Sequence, residues 1–291
     1  MWIIIVIILI LLALIIYTII ESTGFTTVTY EILTSKPLKK DLKIAFMADL
    51  HNKDYGNNND VLIEAVNSYS PDMVCLAGDM VTSGWDIKFD YSGTLDFIRK
   101  LSELYPVYYS LGNHEERFER ERDKFPHQFE EISSAMGKYG VNFLNNQSIS
   151  LCDNSVKIYG LTLPHQYFRR FKRNILEKDT VEKCVGCADR NVFSILLAHD
   201  PSHFANYADW GADIVLSGHI HGGIVSLPFI GGAVAPGIRL FPKYDAGHYH
   251  EKDSDMILTR GIGSHLVPIR IRNKAEIVFI NIKGEQNESQ C

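Results

Sequence analysis

The chain has 291 residues, with 29 Lys and Arg against 35 Asp and Glu, a formal net charge of −6. That balance argues against a protein whose main work is gripping a nucleic-acid backbone, because there is no basic excess to release counterions. The length fits one large domain or two small ones with a substantial core, and 5 cysteines are too few and too odd in number for a disulfide framework.

From Trp2 to Ile20 no side chain is charged, and only Tyr17 and Thr18 carry side-chain oxygen. About 19 residues at ~1.5 Å per residue span the ~30 Å hydrocarbon core of a bilayer. A buried core helix is seldom so uniformly apolar over that length. A cleavable signal peptide fits less well: no Lys or Arg precedes the run, and Glu21-Ser22-Thr23-Gly24 is a poor small-residue cleavage site. Residues 1–21 are therefore expected to form an uncleaved, single-pass anchor in the cell membrane. The first basic residues, Lys36, Lys39 and Lys40, lean towards a cytoplasmic body without fixing it.

Residues 22–42 read as a linker with a first strand. Phe25–Leu33 alternates and is rich in β-branched residues, and a Pro- and Lys-bearing turn follows at 35–41. Short apolar runs then end in polar residues and glycine. Leu42–Ala48 ends at Asp49-Leu-His51, Met73–Ala77 at Gly78-Asp79, and Val107–Leu111 at Gly112-Asn-His-Glu115. Phe193–Ala198 ends at His199-Asp200, and Ile214–Ser217 at Gly218-His-Ile-His221. Helical spacing is found over Asp60–Tyr69, Thr94–Leu104 and Phe129–Tyr139. Buried strands alternating with helices imply an α/β architecture with helices over the sheet faces. Val156–Leu161, Met256–Arg260 and Glu276–Ile282 read as further strands with fewer helices between them, hence a second sheet facing the first. The expected fold is a four-layer α/β sandwich over 43–283, two facing mixed sheets flanked by helices, with a polar tail at 284–291.

Strand ends of an α/β sheet converge and are the usual place for a ligand. Singly, Asp79 after a glycine reads as a helix N-cap, and His199-Asp200-Pro201 as a turn. Five strand ends all carrying imidazole or oxygen donors are not explained that way. Asp49, Asp79 and the amide oxygen of Asn113 supply oxygen, and His51, His199, His219 and His221 supply nitrogen. Seven side chains exceed the needs of one tetrahedral zinc and suit two divalent ions sharing a bridging carboxylate. Mixed nitrogen and oxygen donors without thiolate point to Mn, Fe, Zn or Ni rather than Ca or Mg, with Mn favoured. Cys184-Val-Gly-Cys187 has no second pair to complete a zinc site. It reads as a local disulfide or two free thiols.

Asp49-Leu-His51, Gly78-Asp79, Gly112-Asn-His-Glu115, His199 and Gly218-His-Ile-His221 together resemble the signature of the calcineurin-like metallophosphoesterase superfamily, in order and over roughly residues 43–223. Leu227-Pro-Phe-Ile-Gly-Gly, Lys243-Tyr244 with Gly247-His-Tyr249, and Thr259-Arg-Gly-Ile-Gly263 are similar to its membrane-associated YkuE/YaeI-type phosphodiesterase branch. The resemblance implies one metal on Asp49, His51, Asp79 and His221 and a second on Asp79, Asn113, His199 and His219, with Asp79 bridging. It implies a catalytic His114 facing the substrate. Glu115 stands where the family more often has Asp, and is expected to fix the tautomer of His114.

Gln166–Arg173 is a basic, aromatic cluster in an otherwise acidic chain. It reads as a solvated face, or as a lid whose Arg169, Arg170 and Arg173 contact an anionic substrate or lipid headgroup. Trp85 and Phe89 shape the pocket or pack in the core. The expected activity is hydrolysis of a phosphodiester or pyrophosphate, lipid-linked given the anchor. The expected partners are a phosphorylated small molecule or lipid headgroup and the membrane, with neither nucleic acid nor an obligate protein partner. A nuclease is the enzymatic alternative. A non-catalytic membrane-bound metal-binding adaptor is the alternative outside enzymology.

Overall fold

A computed structural model describes residues 2–84, 90–151, 154–168, 175–223, 226–227, 231–232, 234–235, 239–240, 242–264 and 270–284. The chain opens with α1 (Trp2–Thr23), 22 residues with none buried. At ~1.5 Å per residue it is about 33 Å long, and it is the one helix among the described residues long and apolar enough to cross a membrane. Its threonines do not spoil that character. The Thr18 and Thr23 hydroxyls donate to the carbonyls of Leu14 and Ile19, both at 2.8 Å, so neither hydroxyl is left without an acceptor.

In chain order the body runs β1 (Phe25–Thr34), β2 (Leu42–Met47), α2 (Asp60–Tyr69), β3 (Met73–Ala77), α3 (Ser92–Leu104) and β4 (Val107–Ser110). Next come α4 (Asn113–Arg120), α5 (Gln128–Lys138), β5 (Asn142–Leu144), β6 (Gln147–Leu151), β7 (Val156–Leu161), α6 (Thr180–Val185), β8 (Phe193–Ala198), α7 (Phe204–Trp210) and β9 (Ile214–Ser217). Two short ribbons follow, β10 (Ser226–Leu227) with β11 (Gly231–Gly232) and β12 (Val234–Ala235) with β13 (Arg239–Leu240). The chain closes with β14 (Gly247–Glu251), β15 (Ser254–Leu258) and β16 (Ala275–Gly284).

Two six-stranded mixed sheets result, ordered β1-β16-β2-β3-β4-β5 and β14-β15-β9-β8-β7-β6. Strands β2 to β5 are parallel in the first sheet, and β7, β8, β9 and β15 in the second. Central strands β2, β3, β4, β8 and β9 are buried on both faces or nearly so, which is why they read as continuous apolar runs. Alternation along β2 divides the layers. Ile44 and Phe46 point between the sheets with Ile195, Leu197 and Leu216. Ala45 and Met47 point outward to Leu62, Phe97 and Ile132 of the helices. On the far side α6 and α7 lay Val181, Phe204 and Tyr207 over Leu196 and Val215. This is the expected four-layer sandwich.

Glu276–Ile282 departs from the expected grouping. It lies in β16, between β1 and β2 in the first sheet, while β8 and β9 build the second. Strand β1 is hydrogen-bonded to β16 in register from Phe25↔Ala275 to Thr34↔Gly284, so the residues just after α1 are the edge of the first sheet. Such a pairing joins the two ends of the chain and leaves no local trace in either segment. Cys184 and Cys187 are free thiols. Cys187 donates to Glu182 Oε1 at 3.0 Å.

Candidate metal centre

Five parallel strands, three from the first sheet and two from the second, end at the same edge of the sandwich and bring the polar residues together. Asp49 and His51 follow β2, Asp79 follows β3, His199 follows β8, and His219 and His221 follow β9. Asn113 and His114 open α4. The loops keep the parallel ladder going beyond the strands, with Asp49 N donating to Gly78 O (3.0 Å) and His51 N to Asp79 O (3.1 Å). Asp49, His51, Asp79, His219 and His221 all have positive φ, between 51° and 74°. That region costs a non-glycine residue energy and is held only where the surroundings over-determine it. Close approach adds a second constraint: a Cβ on Gly112 would strike Asp79, and one on Gly218 would strike Asp49.

The donors form two groups. In the first, His51 Nε2 and His221 Nε2 are 3.1 Å apart with their rings stacked, and His221 Nε2 is 3.4 Å from Asp49 Oδ1. Two nitrogens each ~2.1 Å from one ion, at right angles, are about 3 Å apart, so this spacing is that of a ligand pair. In the second, Asp79, His199 and His219 bring a ligand atom each to within 4.8 Å of one another. His199 Nε2 lies 3.0 Å from Asp79 Oδ2. Asp79 also forms a group with His51 and His114, which places its carboxylate between the two clusters. Buried Asn113 Oδ1 has no hydrogen-bond partner among the described residues, and such an orphaned acceptor marks an ion's place. The residues present fit two divalent cations.

Tautomers are set from behind. His199 Nδ1 donates to Ala77 O at 2.7 Å, which turns Nε2 towards Asp79, the arrangement of a histidine ligand with a carbonyl behind it. Burial disfavours the His199 imidazolium, yet Asp79 and Asp49 outweigh it and hold the group up at about 10. Burial likewise raises Asp49 to about 7. It also acts on Asp79, but His199 and His114 win there and keep that carboxyl well below the usual carboxylate range. A proton shared between His199 and Asp79 thus stands where a cation's charge is wanted.

His114 is placed differently. Ser83 N donates to its Nδ1 at 2.8 Å and Ser83 Oγ sits 2.9 Å away, while the backbone N–H of His114 donates to Asp79 Oδ1 at 2.8 Å. Glu115 does not fix the His114 tautomer, as the sequence suggests; Ser83 does. The carboxylate of Glu115 is fully buried and accepts from Asp79 N, Met80 N, Val81 N, Gly112 N and the Tyr109 hydroxyl, at 2.9, 2.9, 3.2, 2.9 and 2.6 Å. It ties the loop after β3 to the start of α4 and so positions Asp79. Its grip on Gly112 N, three residues back, is also half of a capping box.

Further residues hold the site from distant segments. Asn273 Nδ2 donates to His221 O at 2.5 Å and to Gly223 O. Buried Arg270 donates to the carbonyls of Arg260 (2.9 Å), Gly261 (3.3 Å), Gly263 (2.5 Å) and Asn273 (3.0 Å), and Gly263 N donates to Asp49 O at 2.6 Å. None of Ser83, Tyr109, Arg270 or Asn273 stands in a donor motif. Ser83, four residues after Asp79, and Tyr109, four residues before Asn113, lay near enough to one to be suspected. Arg169, Arg170, Arg173, Trp85 and Phe89 lie outside the described residues.

A family model described as calcineurin-like phosphoesterase matches residues 42–223. A metallophosphoesterase of Campylobacter jejuni, Cj0846, is 31% identical over 253 residues, covering 86% of this chain and 61% of that protein. The chain thus spans about three fifths of that relative's length. YkuE of Bacillus subtilis, named a metallophosphoesterase, is 27% identical over 83% of this chain and 79% of its own. YaeI of Escherichia coli, named a phosphodiesterase, is 24% identical over 90% of each.

Proposed function

The chain belongs to the calcineurin-like phosphoesterase family, and we propose that it hydrolyses a phosphoester bond, a phosphodiester or pyrophosphate, at the edge where the five strands end. Asp49, His51, Asp79 and His221 would hold one divalent ion, and Asp79, Asn113, His199 and His219 the other. Manganese is the favoured occupant and Fe, Zn or Ni the alternatives for this nitrogen and oxygen set. Two such ions, when bound, supply an activated water and neutralise charge on phosphoryl oxygens.

The chain's own groups do the rest. Asp79 lies between both clusters, and Glu115 fixes its backbone. With Nδ1 accepting from Ser83, neutral His114 carries its proton on Nε2, on the side of Asp79 Oδ2 at 4.0 Å. From there it hydrogen-bonds a phosphoryl oxygen or protonates the leaving oxygen. The helix α1 anchors the hydrolase to a membrane, which makes a lipid-linked phosphate the favoured substrate. The observation that carries the reading is the pair of His/Asp clusters, Asp49 with His51 and His221 and Asp79 with His199 and His219, linked by the close approach of His51 to Asp79.

The test is turnover of bis-p-nitrophenyl phosphate and p-nitrophenyl phosphate by the full chain in neutral detergent. Manganese-dependent hydrolysis of the diester is expected. No turnover of either compound with Mn, Fe, Zn or Ni would overturn the reading.

A further inference from the structure

A cleft of about 330 Å³ opens where the last turns of α1 meet the body, lined by Tyr17, Glu21, Thr26, Arg260, Arg272 and Lys274. Three of its six walls are cationic. Arg260 is committed to Glu276, Nη1 to Oε2 at 2.6 Å. Arg272 is exposed and Lys274 half-buried, and among the described residues neither has a carboxylate partner within ion-pair distance. Against them stands Glu21, whose Oε2 is buried with no hydrogen-bond partner in the described structure.

Location gives this charge a meaning. If α1 spans the bilayer, residues 17 to 23 reach the headgroup level, and Tyr17 is the aromatic residue expected there. Cations fixed beside that turn then face phosphates rather than bulk water, where each basic residue adds to the attraction of an anionic surface. We infer that the cleft binds the phosphate headgroup of an anionic phospholipid, held by Arg272 and Lys274 beside the last turn of α1. The inference rests on reading α1 as a membrane span, and goes beyond the hydrolytic reading of the metal centre.

The same segment reaches the metal centre. Between Arg272 and Lys274, Asn273 turns the other way and holds the His221 and Gly223 carbonyls. Arg260 packs against Gly222, where an added Cβ would meet its Cγ at 2.9 Å. Arg270 N donates to Ser22 Oγ of α1 at 3.0 Å, while its guanidinium holds the loop under Asp49. A headgroup seated in the cleft therefore fixes the metal centre at a set height over the bilayer surface.

Native mass spectrometry of the full chain in neutral detergent tests this, with short-chain phosphatidylglycerol, short-chain phosphatidylcholine and inorganic phosphate as probes. One phosphatidylglycerol should be retained where phosphatidylcholine is not. The paired change Arg272→Ala and Lys274→Ala should weaken retention about 30-fold, at roughly fivefold per cation. The charge-keeping pair Arg272→Lys and Lys274→Arg should restore it. Both pairs should keep wild-type diester turnover, which reports a folded chain and an intact metal centre. Equal retention of the two lipids, or unchanged retention by the folded alanine pair, would overturn the assignment, and so would displacement of the lipid by equimolar inorganic phosphate. Failure of the span reading shows separately, as release of the chain from membranes at alkaline pH.

Discussion

The backbone N–H of Ser83 donates to Nδ1 of His114 at 2.8 Å, so a neutral His114 presents an Nε2–H to the metal centre. Replacing His114 by Ala should lower kcat by about 10²–10³-fold while leaving metal content unchanged. The loss should be larger for a diester with an alkyl leaving group than for bis-p-nitrophenyl phosphate, because nitrophenolate leaves without a proton. Steady-state rates on both substrates and elemental analysis of the variant check this. A leaving-group-independent loss would place His114 on the phosphoryl oxygens instead.

Glu115 accepts five hydrogen bonds in a fully buried place. Glu115→Gln turns one oxygen into an NH₂, and each oxygen accepts from two backbone N–H groups, so two bonds are lost and two donor pairs collide. We expect about 3 kcal/mol of destabilisation, a fall in Tm of roughly 6–12 °C for a body of this size. Calorimetry of the metal-loaded variant measures it. A shift below about 2 °C would mean that the loops after β3 and β4 are held by something else.

The metal-free chain should lose stability as pH rises. His199 is held up at about 10 against an ordinary 6.5, so its stabilising proton is fully present below about pH 6.5 and lost on the way to pH 10. Burial holds Asp49 up at about 7 against 3.8, so ionising it costs stability between about pH 4 and 7. Asp79 titrates well below this window. A cation has to displace the His199 proton, and its affinity should climb with pH. Melting curves with EDTA and with Mn²⁺ at pH 6 and pH 9 should show the gap widening at the higher pH. A metal-free Tm that is flat or rising over this range would contradict the electrostatics of the His199–Asp79–Asp49 cluster.

Much of this was legible in the sequence, for a definite reason. Met73–Ala77 and Ile214–Ser217 each follow an Asp and end at a Gly, Phe193–Ala198 ends at His199, and all three are buried on both faces, so composition marks most of their limits. The metal donors sit at the ends of such strands, and sheet topology brings them together. The helix α4 was not legible, because Asn-His-Glu-Glu-Arg-Phe-Glu-Arg is nearly all polar and its start is held by Gly112, Glu115 and Asp79. Nor was the place of β16, which depends on pairing between residues about 250 apart along the chain. Ser83, Arg270 and Asn273 act through bonds to backbone groups of remote loops, which no local pattern encodes.

Contacts from Lys53 Nζ to Ser22 O (2.8 Å) and from Arg270 N to Ser22 Oγ (3.0 Å) dock the end of α1 on the body. As an uncleaved anchor, α1 should keep the chain in the membrane pellet after alkaline carbonate extraction, with an intact mass that includes residues 2–23. A mature protein beginning after Thr23 would identify the segment as a signal peptide instead.

The central claim is that Asp79 is shared by two ions that together make the hydrolase. It is tested most directly by counting metal and measuring turnover on the same samples of wild type and Asp79→Asn. Wild type should hold two ions per chain at saturation and hydrolyse bis-p-nitrophenyl phosphate. Asp79→Asn should hold at most one firmly and lose at least 10³-fold in rate. Full turnover by Asp79→Asn, or a wild type active with a single ion, would contradict the account.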